Sequence, residues 1–162
     1  MLKKSVEDAL NKQLNAELYS SYLYLAMAAY METLSMKGFA HWLRLQSKEE
    51  LAHGIKFYDY LIEAGGTVKL AAIDAPKTSW KSAGTVFDQV YAHEQKVTGL
   101  IHGLMELAIK EKDYATTGFL SWFVKEQVEE EANASEIVAK VKTMGDIPGH
   151  LFWLDHELGK RE

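Results

Sequence analysis

The sequence predicts an all-α protein, a four-helix bundle with one long crossover and a short fifth helix, and three observations carry that expectation. Only two prolines occur, Pro76 and Pro148. Strand-like alternation bounded by turn residues is nearly absent. Breakers divide the chain into four long amphipathic stretches and one short one. In chain order these are α1 from Ser5 to Leu34, α2 from Lys37 to Glu63, α3 from Ala83 to Glu111, α4 from Tyr114 to Met144, and α5 after Pro148, reaching about residue 160.

Each element follows from its neighbours. The α1–α2 and α3–α4 connections are short, so each pair forms an antiparallel hairpin. Between α2 and α3, GGTVKLAAIDAPKTSWKS supplies about 18 residues of irregular chain, long enough when extended to run the length of a long helix. Short, long, short connections describe a bundle with one crossover. The segment HLFWLDHELGK is too short to be stable alone. Its Leu151, Phe152, Trp153, Leu154 and Leu158 therefore need a partner surface, either their own bundle or neighbouring subunits. Leu18, Tyr22 and Leu25 add an apolar stripe on α1 that suggests a dimer face.

Composition narrows the function. A chain of 162 residues, 48% hydrophobic and 25% charged, suits a single domain over residues 1–162, with the bundle at about 5–144 and the fifth helix at about 148–160. With 18 Lys+Arg against 23 Asp+Glu, the net charge is −5 and no basic cluster tracks a phosphate backbone, so no nucleic-acid partner is expected. MLKKSVEDALNKQ lacks the apolar run of a signal peptide, and the longest apolar stretch, YLYLAMAAYM, is too short to span a bilayer. A soluble, cytoplasmic protein without a membrane partner is the expectation. Cysteine is absent, which excludes disulfides, thiolate metal sites and cysteine catalysis. Any metal must use oxygen and nitrogen ligands.

A bundle requires a core seam on each helix. On α1 it reads Leu10, Leu14, Glu17, Ser21, Tyr24, Ala28, Met31, and on α2 Phe39, Leu43, Gln46, Glu50, His53, Phe57, Tyr60. On α3 it reads Phe87, Val90, Glu94, Val97, Ile101, Leu104, Ala108, and on α4 Leu120, Phe123, Gln127, Glu130, Ala134, Ile137, Val141, Met144. Glu17, Glu50, His53, Glu94, Gln127 and Glu130 thus interrupt apolar seams. In each hairpin these residues lie roughly equidistant from the turn, about 25–30 Å along the helix axes. Six polar side chains are therefore expected in one mid-bundle layer.

Four carboxylates cannot stay ionised together in an apolar core unless something positive joins them. Two divalent cations balance four glutamates, and the donor set selects iron or manganese before copper. A polar layer that only fixes helix register is the plainer reading, but no buried Lys or Arg is at hand to neutralise it. A Glu from each of two helices plus Glu-x-x-His from each of the others is a di-iron carboxylate pattern. Here Glu50-x-x-His53 is intact, and its counterpart is Gln127-x-x-Glu130.

With the blocks LNAELYSSYLYL, KGFAHWLRLQSKEELAH, YAHEQKVT, EKDYAT and FVKEQVEEEA, the chain resembles bacterial and archaeal non-haem ferritins over nearly its whole length. That resemblance implies a ferritin-like fold and a ferroxidase centre in which Glu17, Glu50 and His53 hold one iron. Glu50, Glu94 and Glu130 hold the other, with Gln127 beside it. It also implies a third iron position at Glu49, Glu126, Glu129 and Glu130, a redox-active Tyr24, and a homo-oligomeric shell of 24 subunits that oxidises Fe²⁺ with dioxygen or peroxide and stores ferric oxyhydroxide. Bacterioferritin-like relatives bind haem through a methionine where this chain has Leu51, so no haem is expected.

Plainer readings accompany several of these residues. Tyr24 could be a packed aromatic with a bonded hydroxyl, Trp122 reads as packing, and Glu49, Glu126 and Glu129 could form a solvated acidic face. His93 and His102 read as surface residues, and Glu111 and Asp113 are candidates for an entry channel. A di-iron peroxidase that retains its metal, or a non-enzymatic metal-binding shell, would use the same centre.

Overall fold

The computed structural model describes residues 2–145 and 147–162. Its elements are α1 (Lys4–Thr33), α2 (Lys37–Glu63), α3 (Ala83–Lys110), α4 (Tyr114–Met144) and α5 (Pro148–Leu158), with no strand among the described residues. The bounds of the four long helices match the expected ones to within a residue. Both tight turns use a non-glycine residue in the left-handed region, Ser35 at φ 58° and Lys112 at φ 56°, which ends each helix and reverses the chain.

Helix starts are capped locally. Ser82 and Thr85 form a reciprocal capping box at α3. Asp113 caps α4, accepting from Thr116 N at 3.0 Å and from the Thr116 hydroxyl at 2.8 Å. The Glu111 carboxylate pairs with Lys3 at 2.9 Å. Both acids suggested for an entry channel therefore serve the α3–α4 turn.

Helices α1 and α2 form one hairpin, α3 and α4 the other, and the crossover returns along α1. Polar α1 side chains fasten it there. Asn11 donates to Thr67 O (2.9 Å) and accepts from Lys69 N (2.6 Å), while the Tyr30 hydroxyl donates to Trp80 O (2.7 Å). These bonds satisfy backbone groups that form no regular ladder.

Every residue of the four seams is buried except Ser21, Tyr60 and Met144, which are partly exposed. The apolar core is divided in two. One cluster gathers residues such as Leu23, Met27, Phe39, Leu43, Phe87, Val90, Ala134 and Ile137, and the other Leu10, Leu14, Phe57, Leu61, Val97, Ile101, Leu120 and Phe123. The sequence positions between them on all four helices are the polar ones.

Helix α5 docks on its own bundle through one face. Leu151 and Leu154 are buried in the first cluster, and Asp155 Oδ1 accepts from Phe39 N at 2.9 Å. The approach is close enough that a Cβ on Gly38 would lie 1.6 Å from Asp155 O. Phe152 and Trp153 remain 76% and 54% exposed, so the apolar residues of α5 divide between the bundle and an outward face. Tyr22 and Leu25 are exposed on α1 as expected, joined by Leu51, Ile55, Tyr58 and Ile62 of α2. Leu18 is instead half-buried.

Candidate metal centre

Glu17, Glu50, His53, Glu94, Gln127 and Glu130 are all buried in the layer between the two apolar clusters. Helical spacing does the positioning, since residues one turn apart share a face. Glu50 and His53 stand together on α2, and His53 Nδ1 lies 3.6 Å from Glu50 Oε2. Glu17, Glu50 and His53 each present one donor atom within 4.8 Å of the others. On α1, Gln13 lies one turn before Glu17 and donates to its Oε1 at 2.7 Å. Yet Glu17 Oε2 and Glu50 Oε1 are buried with no hydrogen-bond partner.

The second half of the layer is satisfied differently. The Tyr24 hydroxyl donates to Glu94 Oε1, and Gln127 Nε2 donates to Glu94 Oε2 at 3.2 Å. Gln46 Nε2 donates to Glu130 Oε2 at 2.5 Å. His53, Glu126 and Glu130 form a second group of donors within 4.8 Å, with His53 Nε2 3.9 Å from Glu126 Oε1. Edge-to-face contact with Trp122 (5.4 Å) and Phe123 (5.9 Å) holds the imidazole, and Lys56 Nζ sits 3.0 Å over the Trp122 ring.

Burial dominates the electrostatics. It holds Glu17 and Glu50 well above the ordinary carboxylate value, with Glu50 acting on Glu17 and Glu94 on Glu50. Glu94 is raised by burial, and Glu130 is pushed up to about 7 by burial and then by Glu94. Tyr24 is raised by burial and the charge of Glu94. No Lys or Arg is buried among the described residues. Without metal, protons must neutralise the layer. A divalent cation among Glu17, Glu50 and His53 would replace those protons and give both orphaned oxygens a partner, and hard oxygen with imidazole suits iron.

Comparisons with known proteins show which family has this fold. Residues 7–144 match the family model described as the ferritin-like domain. The chain belongs to the ferritin family. It is 44% identical over 161 residues to the bacterial non-heme ferritin of Bacteroides fragilis (strain 638R), covering 99% of this chain and 100% of that one. The Staphylococcus saprophyticus protein of the same name is also 44% identical, with 99% and 96% covered. Among solved structures, an open pore ferritin from the hyperthermophilic archaeon Archaeoglobus fulgidus is 48% identical with a TM-score of 0.99, covering 100% of this chain and 99% of that chain. A humanized archaeal ferritin is 46% identical with a TM-score of 0.98, covering 100% and 98%.

In this ferritin-family chain the first expected set, Glu17, Glu50 and His53, stands assembled. In the other half, Glu94 accepts from Tyr24 and from Gln127, the amide expected beside it, while Glu130 groups with His53 and Glu126. Of the outer acids, Glu49 and Glu126 are partly buried and Glu129 is exposed outside either group. Sequence reasoning missed three side chains here. Gln13 lies one turn from Glu17, a signal that could have found it. His93, expected at the surface, lies between α1 and α3, bonded to Ser20 Oγ at 2.7 Å and edge-on to Tyr24 at 5.7 Å, and burial pushes its pKa down to about 4. Arg161 reaches Glu49 from the C-terminal tail at 2.7 Å, and no local sequence pattern announces that contact. His102 is exposed as expected.

Proposed function

We propose that this protein stores iron by acting as a ferroxidase: it oxidises Fe²⁺ to Fe³⁺ and deposits ferric oxyhydroxide inside a hollow homo-oligomer of 24 subunits in the cytoplasm. The observation that carries this reading is the pair of unpartnered buried oxygens, Glu17 Oε2 and Glu50 Oε1, beside His53. Iron is the substrate. Glu17, Glu50 and His53 hold one Fe²⁺, and Glu50, Glu94 and Glu130, with Gln127 alongside, hold the second. Two Fe²⁺ ions give one electron each to dioxygen, which takes up two protons and leaves as hydrogen peroxide. Peroxide can serve as the oxidant of a further pair.

Carboxylates stabilise Fe³⁺ more than Fe²⁺ and so favour the oxidation. Replacing the second imidazole of the double Glu-x-x-His pattern with Gln127 and Glu130 holds that iron less strongly by nitrogen, so the product leaves. Glu49, Glu126, Glu129 and Glu130 form a third iron position leading away from the centre, and Tyr24 lies where it can supply an electron. The exposed apolar faces of α1, α2 and α5 support subunit contacts.

The test is iron loading. Apo protein given Fe²⁺ in air, far beyond two ions per chain, keeps oxidising it and retains the product as a soluble core that co-elutes with a large particle. A peroxidase with fixed metal would stop near two ions per chain and let further Fe³⁺ precipitate. A passive metal-binding shell would consume no oxygen.

A further inference from the structure

Beyond Leu158, where α5 ends, the chain returns across α2 and brings Arg161 to the acidic rim of the centre. Arg161 Nη1 donates to Gln46 Oε1 at 2.9 Å and Nη2 to Glu49 Oε2 at 2.7 Å. Its guanidinium carbon lies 4.9 Å from the Trp42 ring centroid, and its backbone carbonyl pairs with His41 Nε2 at 2.7 Å. Four contacts therefore fix a residue that lies beyond the last helix.

The arrangement reaches Glu130 as well. A guanidinium only donates, so the Gln46 carbonyl must face Arg161 and its amide NH₂ must face inward. That NH₂ donates to Glu130 Oε2 at 2.5 Å. One cation thus touches Glu49 directly and orients Glu130 through a single amide.

We infer that Arg161 is a positioning residue that keeps the third iron position weak: it holds Glu49 in an ion pair that a metal ion must break. The inference rests on the third position proposed above. A guanidinium beside Glu49 both occupies a ligand oxygen and repels an incoming cation. Iron leaving the oxidation centre then passes this position instead of staying there. Side-chain exposures of 25% for Arg161 and 45% for Glu49 leave the pair open to solvent screening, so a modest effect is expected.

Calorimetric titration of the assembled apo protein with Zn²⁺ tests this without turnover. In R161A the two tight ions should bind as in the parent, while the third binds about fivefold tighter. R161K should return the third affinity toward the parent value, and E49Q should weaken the third ion whether or not Arg161 is present. Equal third-site affinity in R161A and the parent overturns the inference and leaves the third position standing. A parallel change at all three ions also overturns it, because Arg161 would then support the bundle generally. If neither protein binds a third ion, the third position itself is wrong and the inference falls with it, while the two tight sites still stand.

Discussion

The Tyr24 hydroxyl donates to Glu94 Oε1, and Gln127 Nε2 holds the other oxygen of that carboxylate at 3.2 Å. Both oxygens of Glu94 are therefore engaged, while its charge still acts on Glu50. Tyr24→Phe removes a buried hydrogen bond and leaves a Glu94 oxygen without its donor, and the apo protein should lose about 1–3 kcal/mol in thermal or denaturant unfolding. Binding of two divalent ions should persist, and stopped-flow absorbance should show slower Fe²⁺ oxidation. Unchanged oxidation would reduce Tyr24 to a packing residue.

Glu50 stands between the α1 carboxylate and the α3–α4 half of the layer, and it should matter more than any other single ligand. Even outer partners of metal ligands are worth about 10–100-fold. Replacing a group shared by both irons should lower the initial oxidation rate by more than that. The apo fold should hold, because Glu50→Ala removes one acid from a repulsive buried cluster. Oxidation at the parent rate would rule out the di-iron assignment.

Stability of the apo protein should fall as pH rises. The folded pKa of Glu130 is about 7 against an ordinary 4.5, and Glu17, Glu50 and Glu94 are shifted in the same direction. Between those limits the folded state binds more protons than the unfolded chain, so the contribution is fully present below 4.5 and is lost as pH passes through about 7. Melting curves from pH 5 to 8 should show the decline. Zn²⁺ should flatten it by replacing the protons, and chelation should restore it. A flat apo profile would contradict the raised carboxylates.

Changing Glu49, Glu126 and Glu129 together to Ala should spare the first fast oxidation phase and slow turnover after the first pair of irons. Those acids lie outside the first donor group, and only Glu126 joins the second. Sequential additions of Fe²⁺, followed by oxygen uptake, separate the two phases. Equal rates in both phases would remove the outer acids from the iron path.

Gly38 supports α5 by having no side chain. Its added Cβ would fall 1.6 Å from Asp155 O, a backbone clash that only displacement of α5 can relieve. Gly38→Ala should cost about 1–3 kcal/mol or more and lower the melting temperature, while far-UV circular dichroism keeps the signal of the four long helices. Sedimentation would then report whether the Phe152 and Trp153 face contributes to assembly; a variant as stable as the parent would show that the close approach is unimportant.

The fold was legible in the sequence because local signals and the global packing agree. Seam spacing and the short, long, short connections led to the same bundle, and symmetry about each turn placed Glu17, Glu50, His53, Glu94, Gln127 and Glu130 at one depth. Periodicity fixes which face a residue occupies and how far along the axis it lies, and those two coordinates are enough to define the layer. They do not fix which oxygen meets which donor. Only the tertiary structure decided that Glu94 turns to Tyr24 and Gln127, and that His53 stands between two donor groups. The same holds for His93, whose bond to Ser20 spans α1 and α3, and for Arg161, which meets Glu49 across 112 positions of chain. Such contacts depend on how two helices rotate against each other and on where a tail docks. A single sequence read along its length carries the helical period, whereas these pairings arise only when distant segments are packed together.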